Sequence, residues 1–377
     1  MRIRSLIACL SILCSIPTAA QLTSEYYLDK TTFAPGEPVF LYHRLTNHQT
    51  SPQTTQPDDP QQPDCSGDEI TVSTDAPCSF GGCAMNGPPP TITLAPGKSN
   101  LGRYLLNYNH EINAPGNYWV QAEFVGNTAV ARPPIRLTFR VDGNLPPWSA
   151  AQYQSWLDQL NSTVFEQRLE AARTLASLAP VSLETILLDF ANHYDTRIYA
   201  PLALYRLNTP RSMEALAGLM KSPDSFTRWD AAHYLAESGD QKWYPLLLDA
   251  AQKNPGEGGV YLVAAAQLGG DRMLPVLAAW AKDNEHQPVR ANVILAIEAT
   301  HSRSAIPILL DLLNSRDHKT SDGAQYSLQR LTHRSAFQNR RFRNRKSEAR
   351  KWQEWWVREG STATIYKDLC EKPVPLP

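Results

Sequence analysis

The stretch RWDAAHYL, residues 228–235, is one of six related stretches that decide how the second half of this chain folds. Its relatives begin at residues 168, 197, 259, 290 and 321, so that successive starts lie 29, 31, 31, 31 and 31 residues apart. In all six stretches the fourth and eighth positions are Ala, Leu, Val or Ile. Because residues four apart lie on one face of a helix, each stretch predicts a helix with an apolar face.

A second set of apolar stretches alternates with the first. These stretches begin at residues 181, 211, 241, 271 and 303, and three of them carry a proline in the first turns, at Pro245, Pro275 and Pro307. Proline is tolerated there because the first amide groups of a helix have no partner within the helix. One helix pair of this length cannot bury both of its apolar faces, whereas stacked pairs can. The sequence therefore predicts an α-solenoid of about six helix pairs over residues 148–333.

Three of these stretches carry a family resemblance. DTRIYAPLAL (195–204), DSFTRWDAAHYL (224–235) and QPVRANVILAI (287–297) resemble the second helix of HEAT repeats, in particular the short bacterial variety also found in phycobilisome-lyase-type HEAT-like proteins. The resemblance covers about residues 150–332 and implies an armadillo-like helical surface that binds proteins or other ligands. It does not imply catalysis, because lyase activity on bilins belongs only to certain members of the family.

The first half of the chain follows a different pattern. Residues 21–145 contain short stretches of alternating apolar and polar residues, such as EPVFLYHRLTN (37–47), with Pro-Gly or Gly turns between them. This pattern predicts an antiparallel β-sandwich. The stretches FAPGEPVFL (33–41) and INAPGNYWVQAEF (112–124) resemble strands of bacterial immunoglobulin-like domains, which implies a fold type and no chemistry.

The N-terminus has the pattern of a secretory signal peptide over residues 1–20. Arg2 and Arg4 precede an apolar stretch from Leu6 to Ile16, and small residues follow it. A lipoprotein signal that is cleaved before Cys9 is the alternative, although almost no apolar segment would then precede the cleavage site. No later stretch reaches the roughly 18 apolar residues of a membrane-spanning helix. We therefore expect an exported protein, periplasmic or extracellular, with no transmembrane anchor.

Export changes the chemistry expected of the cysteines. An oxidising compartment favours disulfides, and the candidates after signal removal are Cys65, Cys78, Cys83 and Cys370. Three pairings are possible, and a local bond between Cys78 and Cys83 is as credible as a bond from Cys65 to either of them. A zinc site would need a fourth ligand near the first three cysteines, and none is evident. We predict no metal and no cofactor.

One position of the repeat is a candidate for partner binding. If the third position of each first-set stretch faces the concave side of the solenoid, it forms a row of polar and aromatic groups. Its members are Tyr199, Asp230, Tyr261 and Asn292. We expect Trp243 and Trp280, in contrast, to be buried between repeats.

The C-terminal part is basic. Residues 334–377 hold eleven Lys and Arg against five Asp and Glu, and we expect a basic loop over residues 334–346. Because export removes the chain from nucleic acid, the partner of this loop would be an anionic envelope component. The arginines expected to bind it are Arg340, Arg341, Arg343 and Arg345.

A tryptophan-rich segment follows the basic loop. Residues 347–360 place Ala349, Trp352, Trp355 and Trp356 three and four apart, which predicts an amphipathic helix. Such a helix would cap the last repeat of the solenoid, and insertion into a membrane surface is the alternative. A C-terminal tail completes the chain over residues 361–377.

No enzyme signature emerges. His193 beside Asp195, and His233 near Asp230 and Glu237, form neither a helical two-histidine metal pair nor a catalytic triad. No serine lies in a Gly-x-Ser-x-Gly elbow. The composition, with 42% hydrophobic and 19% charged residues, is that of a globular protein and excludes disordered and fibrous classes. We predict a scaffold that binds another envelope protein; the alternative is a hydrolase-like enzyme with an unrecognised site between the two halves.

Overall fold

The computed structural model describes residues 22–55, 68–73, 92–110, 112–124, 135–253, 258–282, 290–335, 345–366 and 374–375. Its N-terminal part is rich in β-strands, and its C-terminal part is helical and contains a repeated unit. The predicted signal peptide, the four cysteines of the disulfide prediction and three of the four loop arginines, Arg340, Arg341 and Arg343, lie outside the described residues.

We call residues 22–141 the β region. Its described strands are β1 Leu22–Leu28, β2 Thr32–Phe33, β3 Phe40–Asn47, β4 Gln53–Thr55, β5 Asp68–Val72, β6 Ile92–Leu94, β7 Ser99–Leu105, β8 Gly116–Phe124 and β9 Ile135–Val141. A short helix, α1 Leu106–Asn109, directly follows β7. One sheet has the order β1-β3-β7 and is antiparallel; a second has the order β2-β9-β8-β5 and is antiparallel except at the β2–β9 pair; β4 and β6 form a third, two-stranded sheet.

The two larger sheets share one hydrophobic core. Leu41 of β3, Tyr104 of β7, Val120 of β8 and Phe139 of β9 all belong to it and are buried. Successive side chains of a strand point to opposite faces, so Phe40, the neighbour of Leu41, points away from this core. Phe40 instead joins the core of the helical region. The alternation predicted for β3 is confirmed. One face of the strand packs in the core of the β region, and Phe40 on the other face packs in the core of the helical region.

We call residues 150–366 the helical region. Its described helices are α2 Gln154–Leu160, α3 Phe165–Leu178, α4 Glu184–Asp189, α5 Ala200–Leu207, α6 Pro210–Gly218, α7 Ser225–Glu237, α8 Tyr244–Lys253, α9 Gly258–Gly269, α10 Leu274–Lys282, α11 Arg290–Ala299, α12 Ala305–Leu312, α13 His318–Thr332 and α14 Arg345–Glu359. Short 3-10 turns lead into several of them.

The helices form two layers. Each of α3, α5, α7, α9, α11 and α13 packs closely on the next, whereas α4, α6, α8, α10 and α12 touch one another little. A stack whose helices lie closer together on one side curves toward that side. We therefore call the first group the inner helices, the second group the outer helices, and the free surface of the first group the inner face.

The apolar positions that predicted the inner helices form their core. The fourth and eighth residues of all six stretches, from Ala171 and Leu175 to Ala324 and Leu328, are at most 1% exposed. Pro245, Pro275 and Pro307 lie in the first turns of α8, α10 and α12, as predicted. Trp243 is buried between repeats, and Trp280 is half-buried against the same core.

Every inner helix is followed within two residues by a residue with left-handed backbone geometry. The φ angles are positive at Ala179 (40°), Asn208 (48°), Gly239 (69°), Gly270 (55°), His301 (45°) and His333 (50°). These residues lie 29, 31, 31, 31 and 32 positions apart, so the backbone repeats with the same period as the sequence. A left-handed residue lets the chain leave the helix while its amide bonds to the last turn, as the Ala179 amide does to the carbonyl of Leu175.

The C-terminal helix α14 packs on α12. Ala349, Trp352 and Trp355 are buried in the core of the helical region, with Trp352 completely inaccessible. Arg303 donates hydrogen bonds to the carbonyl oxygens of Gly360 and Ala363 and thereby holds the end of this helix. The helix begins at Arg345, two residues before the predicted start, so Arg345 belongs to a helix and not to a loop.

A short strand begins the segment that was predicted to be a basic loop. The strand β10 Arg334–Ser335 pairs in parallel with β11 Val374–Pro375. The Tyr366 ring stacks on His333 with 3.7 Å between ring centroids, and its amide donates to the carbonyl of Leu331. The described part of the C-terminal tail therefore returns to the end of α13.

Candidate functional site

The predicted binding row is only half accessible. Tyr199 is 8% and Tyr261 is 2% exposed, whereas Asp230 is open to solvent and Asn292 is half-buried. The Tyr261 hydroxyl accepts a hydrogen bond from Arg228 Nε at 3.2 Å, across the contact between α9 and α7. The third position of the repeat thus lies where neighbouring inner helices meet. This corrects the expectation of an open row, because its two tyrosines are part of the packing.

The second position of every stretch is at least partly accessible, and the sixth position is exposed in three of the six stretches and buried in the other three. Ile198, Leu295 and Tyr326 are 50%, 49% and 57% exposed there, and Trp229 and Val260 are half-buried. At 100° per residue, the second and sixth positions lie about 160° from the buried fourth position, and the third lies only about 100° from it. The repeat itself carried this signal, and the sequence-based choice missed it by one position.

A cleft of about 350 Å³ opens on the inner face between α7, α9 and α11. Val260, Val263 and Leu295 make its apolar wall with the Trp229 ring, and the polar groups at its rim are His233, Gln267 and Asn292. Gly259 permits the close approach of Asn292, since a Cβ at this glycine would lie 2.5 Å from Asn292 Cγ. The cleft can take an apolar side chain and offer hydrogen bonds beside it.

The β region covers the beginning of the inner face. The helix α1 packs on α3, and the Arg206 guanidinium of α5 donates to the backbone carbonyls of Asn107, Tyr108 and Ser177. The Tyr108 ring meets Tyr199 edge to face with 6.3 Å between centroids. Charge-assisted hydrogen bonds from one guanidinium to three carbonyls fix the orientation of both regions at this point.

A second set of contacts joins the two regions on the side of α2. The Tyr153 hydroxyl donates to the carbonyl of Gly36 at 2.8 Å, and Phe40 packs on Trp156 with 6.1 Å between ring centroids. Gly36 has a φ of 78°, and a Cβ there would lie 2.6 Å from the Tyr153 hydroxyl, so only glycine fits. The β region is therefore held at two separate places.

Asp230 lies near three tyrosines on the part of the inner face that borders the β region. We call Tyr108, Tyr205, Asp230 and Tyr234 the tyrosine–acid cluster. Tyr205 and Tyr234 stack with 4.9 Å between centroids, and the charge of Asp230 acts on the hydroxyls of Tyr234 and Tyr108. All four side chains retain at least partial contact with solvent.

The surroundings change the acidity of this cluster. The Asp230 side chain is exposed but partly desolvated, and this desolvation raises its pKa to about 6 against a smaller opposing effect of His233. Burial, with a contribution from Tyr199, raises the pKa of Tyr108 to about 12. Burial also raises the pKa of Tyr234. The cluster is thus a place where negative charge is poorly solvated.

A second cleft, of about 450 Å³, lies between α2, α3 and α4. His193 Nε2 lies 2.8 Å from Asp189 Oδ2, and Asp195 pairs instead with Arg168 at 2.7 Å. Thr196, which also lines the cleft, donates its hydroxyl to the carbonyl of Phe190. The cleft therefore contains a histidine and a carboxylate. The hydroxyl that could serve as a nucleophile, that of Thr196, is hydrogen-bonded to a backbone carbonyl instead.

Two searches of the described residues gave negative results. No group of three or more His, Cys, Asp or Glu side chains in the described part of the chain is arranged to hold a metal ion. Within the same ranges, no helix has the length and apolar character needed to cross a membrane.

The family model of HEAT repeats matches residues 182–266. The helical region therefore contains HEAT-like repeats, as the resemblance of its sequence implied. The narrower resemblance to phycobilisome-lyase-type proteins stays a prediction. No curated protein matches the chain.

The solved structures that share some likeness with the chain include three whose similarity is weak. Two are crystal structures of engineered proteins: the first has 21% identity over 47% of this chain and 95% of its own, with a TM-score of 0.28, and the second has 20% identity over 48% and 58%, with a TM-score of 0.27. The third is the native conformation of E. coli alpha-2-macroglobulin, with 14% identity over 88% of this chain and 26% of its own, and a TM-score of 0.21. Likenesses this weak carry no argument about function.

Proposed function

We propose that this chain is an exported scaffold without catalytic activity, which binds another envelope protein across the inner face of its HEAT-like repeats. The observation that carries the proposal is the apolar inner face, with Ile198, Leu295 and Tyr326 about half exposed. Val260, Val263 and Leu295 line one cleft on this face, and connected apolar surface of this kind on a folded protein marks an interaction site. HEAT-like repeats suggest the same use, since their stacked helices present a broad surface and no chemistry of their own.

The inner face has the composition of an interface. The cleft between α7, α9 and α11 offers an apolar wall that includes the Trp229 ring, and a rim of His233, Gln267 and Asn292. Aromatic anchors surrounded by polar groups are typical of the residues that dominate binding energy. A partner segment would insert an apolar side chain into the cleft and align its polar groups with the rim.

The other parts of the chain would support this function. We propose that the β region is an immunoglobulin-like sandwich, covering residues 21–145, that holds the first inner helices in place. We propose also that α14 caps the last repeat, because it buries Trp352 and Trp355 against the end of the stack. These roles would leave the middle of the inner face free for the partner.

Export and the basic segment complete the proposal. The pattern of residues 1–20 supports secretion, which in turn favours disulfides among Cys65, Cys78, Cys83 and Cys370. The arginines of residues 340–345 would attract an anionic envelope component. Such binding would weaken steeply as salt rises, because exposed charges are screened within about 10 Å at 0.1 M salt.

A hydrolase-like enzyme is the competing function, and the cleft at His193 is the observation that favours it. The His193–Asp189 pair could act as a base and its orienting acid, but the lining residues include no serine or cysteine beside the histidine. Turnover of an ester or peptide substrate that disappears in His193→Ala would establish this alternative. We favour the scaffold, because binding at the inner face requires only residues that are present there, whereas hydrolysis at His193 would require a serine or cysteine nucleophile that the cleft lining lacks.

Capture of envelope proteins by the purified chain tests the scaffold proposal. We expect wild type to retain a specific protein from a detergent-solubilised envelope fraction, and Leu295→Asp to lose it, because a carboxylate would be buried at the apolar wall. Val276→Asp is the matched control, since Val276 is 36% exposed on the outer helix α10. Equal capture by both variants, or capture of nothing by wild type, would overturn the proposal.

A further inference from the structure

Asp230 carries a charge that the described fold does not neutralise. It lies on the inner helix α7 with its side chain open to solvent, and it forms no hydrogen bond or ion pair with another described residue. The charged groups that act on it are His233 of α7 and Asp224, the residue that caps the start of α7. An acid that is partly desolvated and forms no ion pair with a described residue is electrostatically incomplete.

The nearby arginines do not supply the missing charge. Arg206 directs its guanidinium to three backbone carbonyls, and Arg173 is 5% exposed and lies over the Tyr108 ring at 5.7 Å from its centroid. Both arginines act on tyrosine hydroxyls, but neither contributes to the electrostatics of Asp230. Their positions fasten the β region to the inner helices.

Tyrosines lie near the acid on the side of the β region, close enough for its charge to act on two of their hydroxyls. Tyr234 lies one turn after Asp230 on α7 and stacks on Tyr205, and Tyr108 approaches from α1. The hydroxyls of Tyr108 and Tyr234 donate to no described residue. A carboxylate among aromatic rings attracts an organic cation, because the carboxylate neutralises the charge and the rings attract it through their π-systems.

Other ligands fit this cluster poorly. A calcium ion requires six to eight oxygen ligands, and Asp230 is the one carboxylate of the cluster. An anion would meet the uncompensated charge of Asp230. An ammonium or guanidinium group, in contrast, needs one acid and a few aromatic or hydroxyl groups.

We propose that the tyrosine–acid cluster binds a lysine or arginine side chain of the partner protein, next to the cleft that takes an apolar side chain of the same segment. The two sites adjoin, because Trp229 and His233 of the cleft lie on α7 on either side of Asp230. This inference rests on the proposed function and specifies the partner: a segment with a basic residue close to an apolar one.

A titration with N-acetyl-lysinamide tests the cluster without a partner protein. The full chain, labelled with ¹³C in its tyrosine rings, is followed by NMR as the amide is added. We expect saturable shifts in the resonances of Tyr234 and Tyr108. N-acetyl-norleucinamide, which has a similar shape and no charge, should give none. Linear shifts without saturation, or equal shifts with both amides, would overturn the inference.

Variants then locate the binding. Asp230→Asn preserves shape and removes the charge, so we expect affinity for N-acetyl-lysinamide to fall about tenfold. Asp249→Asn on the outer helix α8, where Asp249 pairs with Lys253 at 2.8 Å, is the matched control and should leave affinity unchanged. Unchanged affinity in Asp230→Asn would show that the amide binds at another place, and it would overturn the inference.

The two proposals fail in different ways. If N-acetyl-lysinamide does not bind, while Leu295→Asp still abolishes capture of a partner, the cation site is wrong and the scaffold stands. If a partner is captured and Asp230→Asn captures it as well as wild type, the cluster does not hold the partner's cation. If no partner is captured at all, the scaffold itself is wrong, whatever the amide does.

Discussion

The pKa of Asp230 determines how this residue affects folding. Desolvation raises it from 3.8 to about 6, so the folded chain holds this proton more tightly than the unfolded chain does. For an acid shifted in this direction, the unfavourable contribution is absent below about pH 4. It grows as pH rises toward 6 and is fully present above it. The unpaired charge of Asp230 therefore opposes folding at neutral pH.

Asp230→Asn is expected to stabilise the chain at pH 7.5 and not at pH 3.5. The gain should be below about 1 kcal/mol, because the side chain is exposed and water screens its charge. Urea denaturation at the two pH values measures the difference. Asp249→Asn should show no such gain at pH 7.5, since it removes an exposed ion pair. An equal gain for Asp230→Asn at both pH values would contradict the electrostatic explanation.

The residues of the site were only partly predictable from the sequence. Asp230 and Asn292 were in the predicted row and are accessible, but Tyr199 and Tyr261 are packed between helices. The accessible second positions could have been found from the helical geometry of the repeat. Tyr108 could not, because it reaches the inner face through a contact between residues about a hundred positions apart in the chain.

At the scale of the element, the left-handed residues that follow the inner helices are the most regular feature of the backbone. Four of the six are not glycine, namely Ala179, Asn208, His301 and His333. Glycine alone would therefore not have marked the helix ends in the sequence. The apolar periodicity did mark the helices, because burial of the fourth and eighth positions depends on local spacing.

Glycine substitutions separate backbone geometry from packing. We expect Gly239→Ala and Gly270→Ala each to destabilise the chain by about 1 kcal/mol, because a Cβ is unfavourable at positive φ although nothing lies within 4 Å of it. Gly218→Ala is the matched control, with equally open space and a helical φ of −61°. It should stabilise by about 0.5–1 kcal/mol. Thermal denaturation measures the three melting temperatures. A shift of all three in the same direction would contradict this explanation.

The tryptophans of α14 allow a test of the proposed cap. Trp352 is inaccessible, so Trp352→Ala should destabilise the end of the helical region by about 3–5 kcal/mol. Val357 is 88% exposed on the same helix, and Val357→Ala should have almost no effect. Amide hydrogen exchange in α12 and α14 should become faster in Trp352→Ala and should stay unchanged in Val357→Ala. Unchanged exchange in α12 would show that α14 does not cap the stack.

At the scale of the whole molecule, the two regions are joined through a shared core and hydrogen bonds. Phe40 and Leu105 of the β region belong to the core of the helical region, and Arg206 bonds across the junction. The sequence predicted both regions but not their placement. That placement depends on hydrogen bonds such as the one from Arg206 to Asn107, which are 99 residues apart, and no local pattern encodes such a contact.

Loss of Arg206 should uncouple the two regions. We expect wild type to unfold in one calorimetric transition and Arg206→Ala to unfold in two. The variant should lose about 3 kcal/mol, because charge-assisted bonds to three carbonyls are removed. Arg211→Ala, at an exposed position of α6, should behave as wild type. A single unshifted transition in Arg206→Ala would mean that other contacts suffice to join the regions.

The central claim is that the inner face of the helical repeats holds a partner protein, and site-specific photocross-linking tests it most directly. Benzoylphenylalanine in place of Leu295 lies on the inner face, and the same group in place of Val276 lies on the outer helix α10. After irradiation of intact envelopes, we predict one dominant cross-linked protein from position 295 and none from position 276. Cross-linking from position 276 alone, or equal yields from both positions, would contradict the claim.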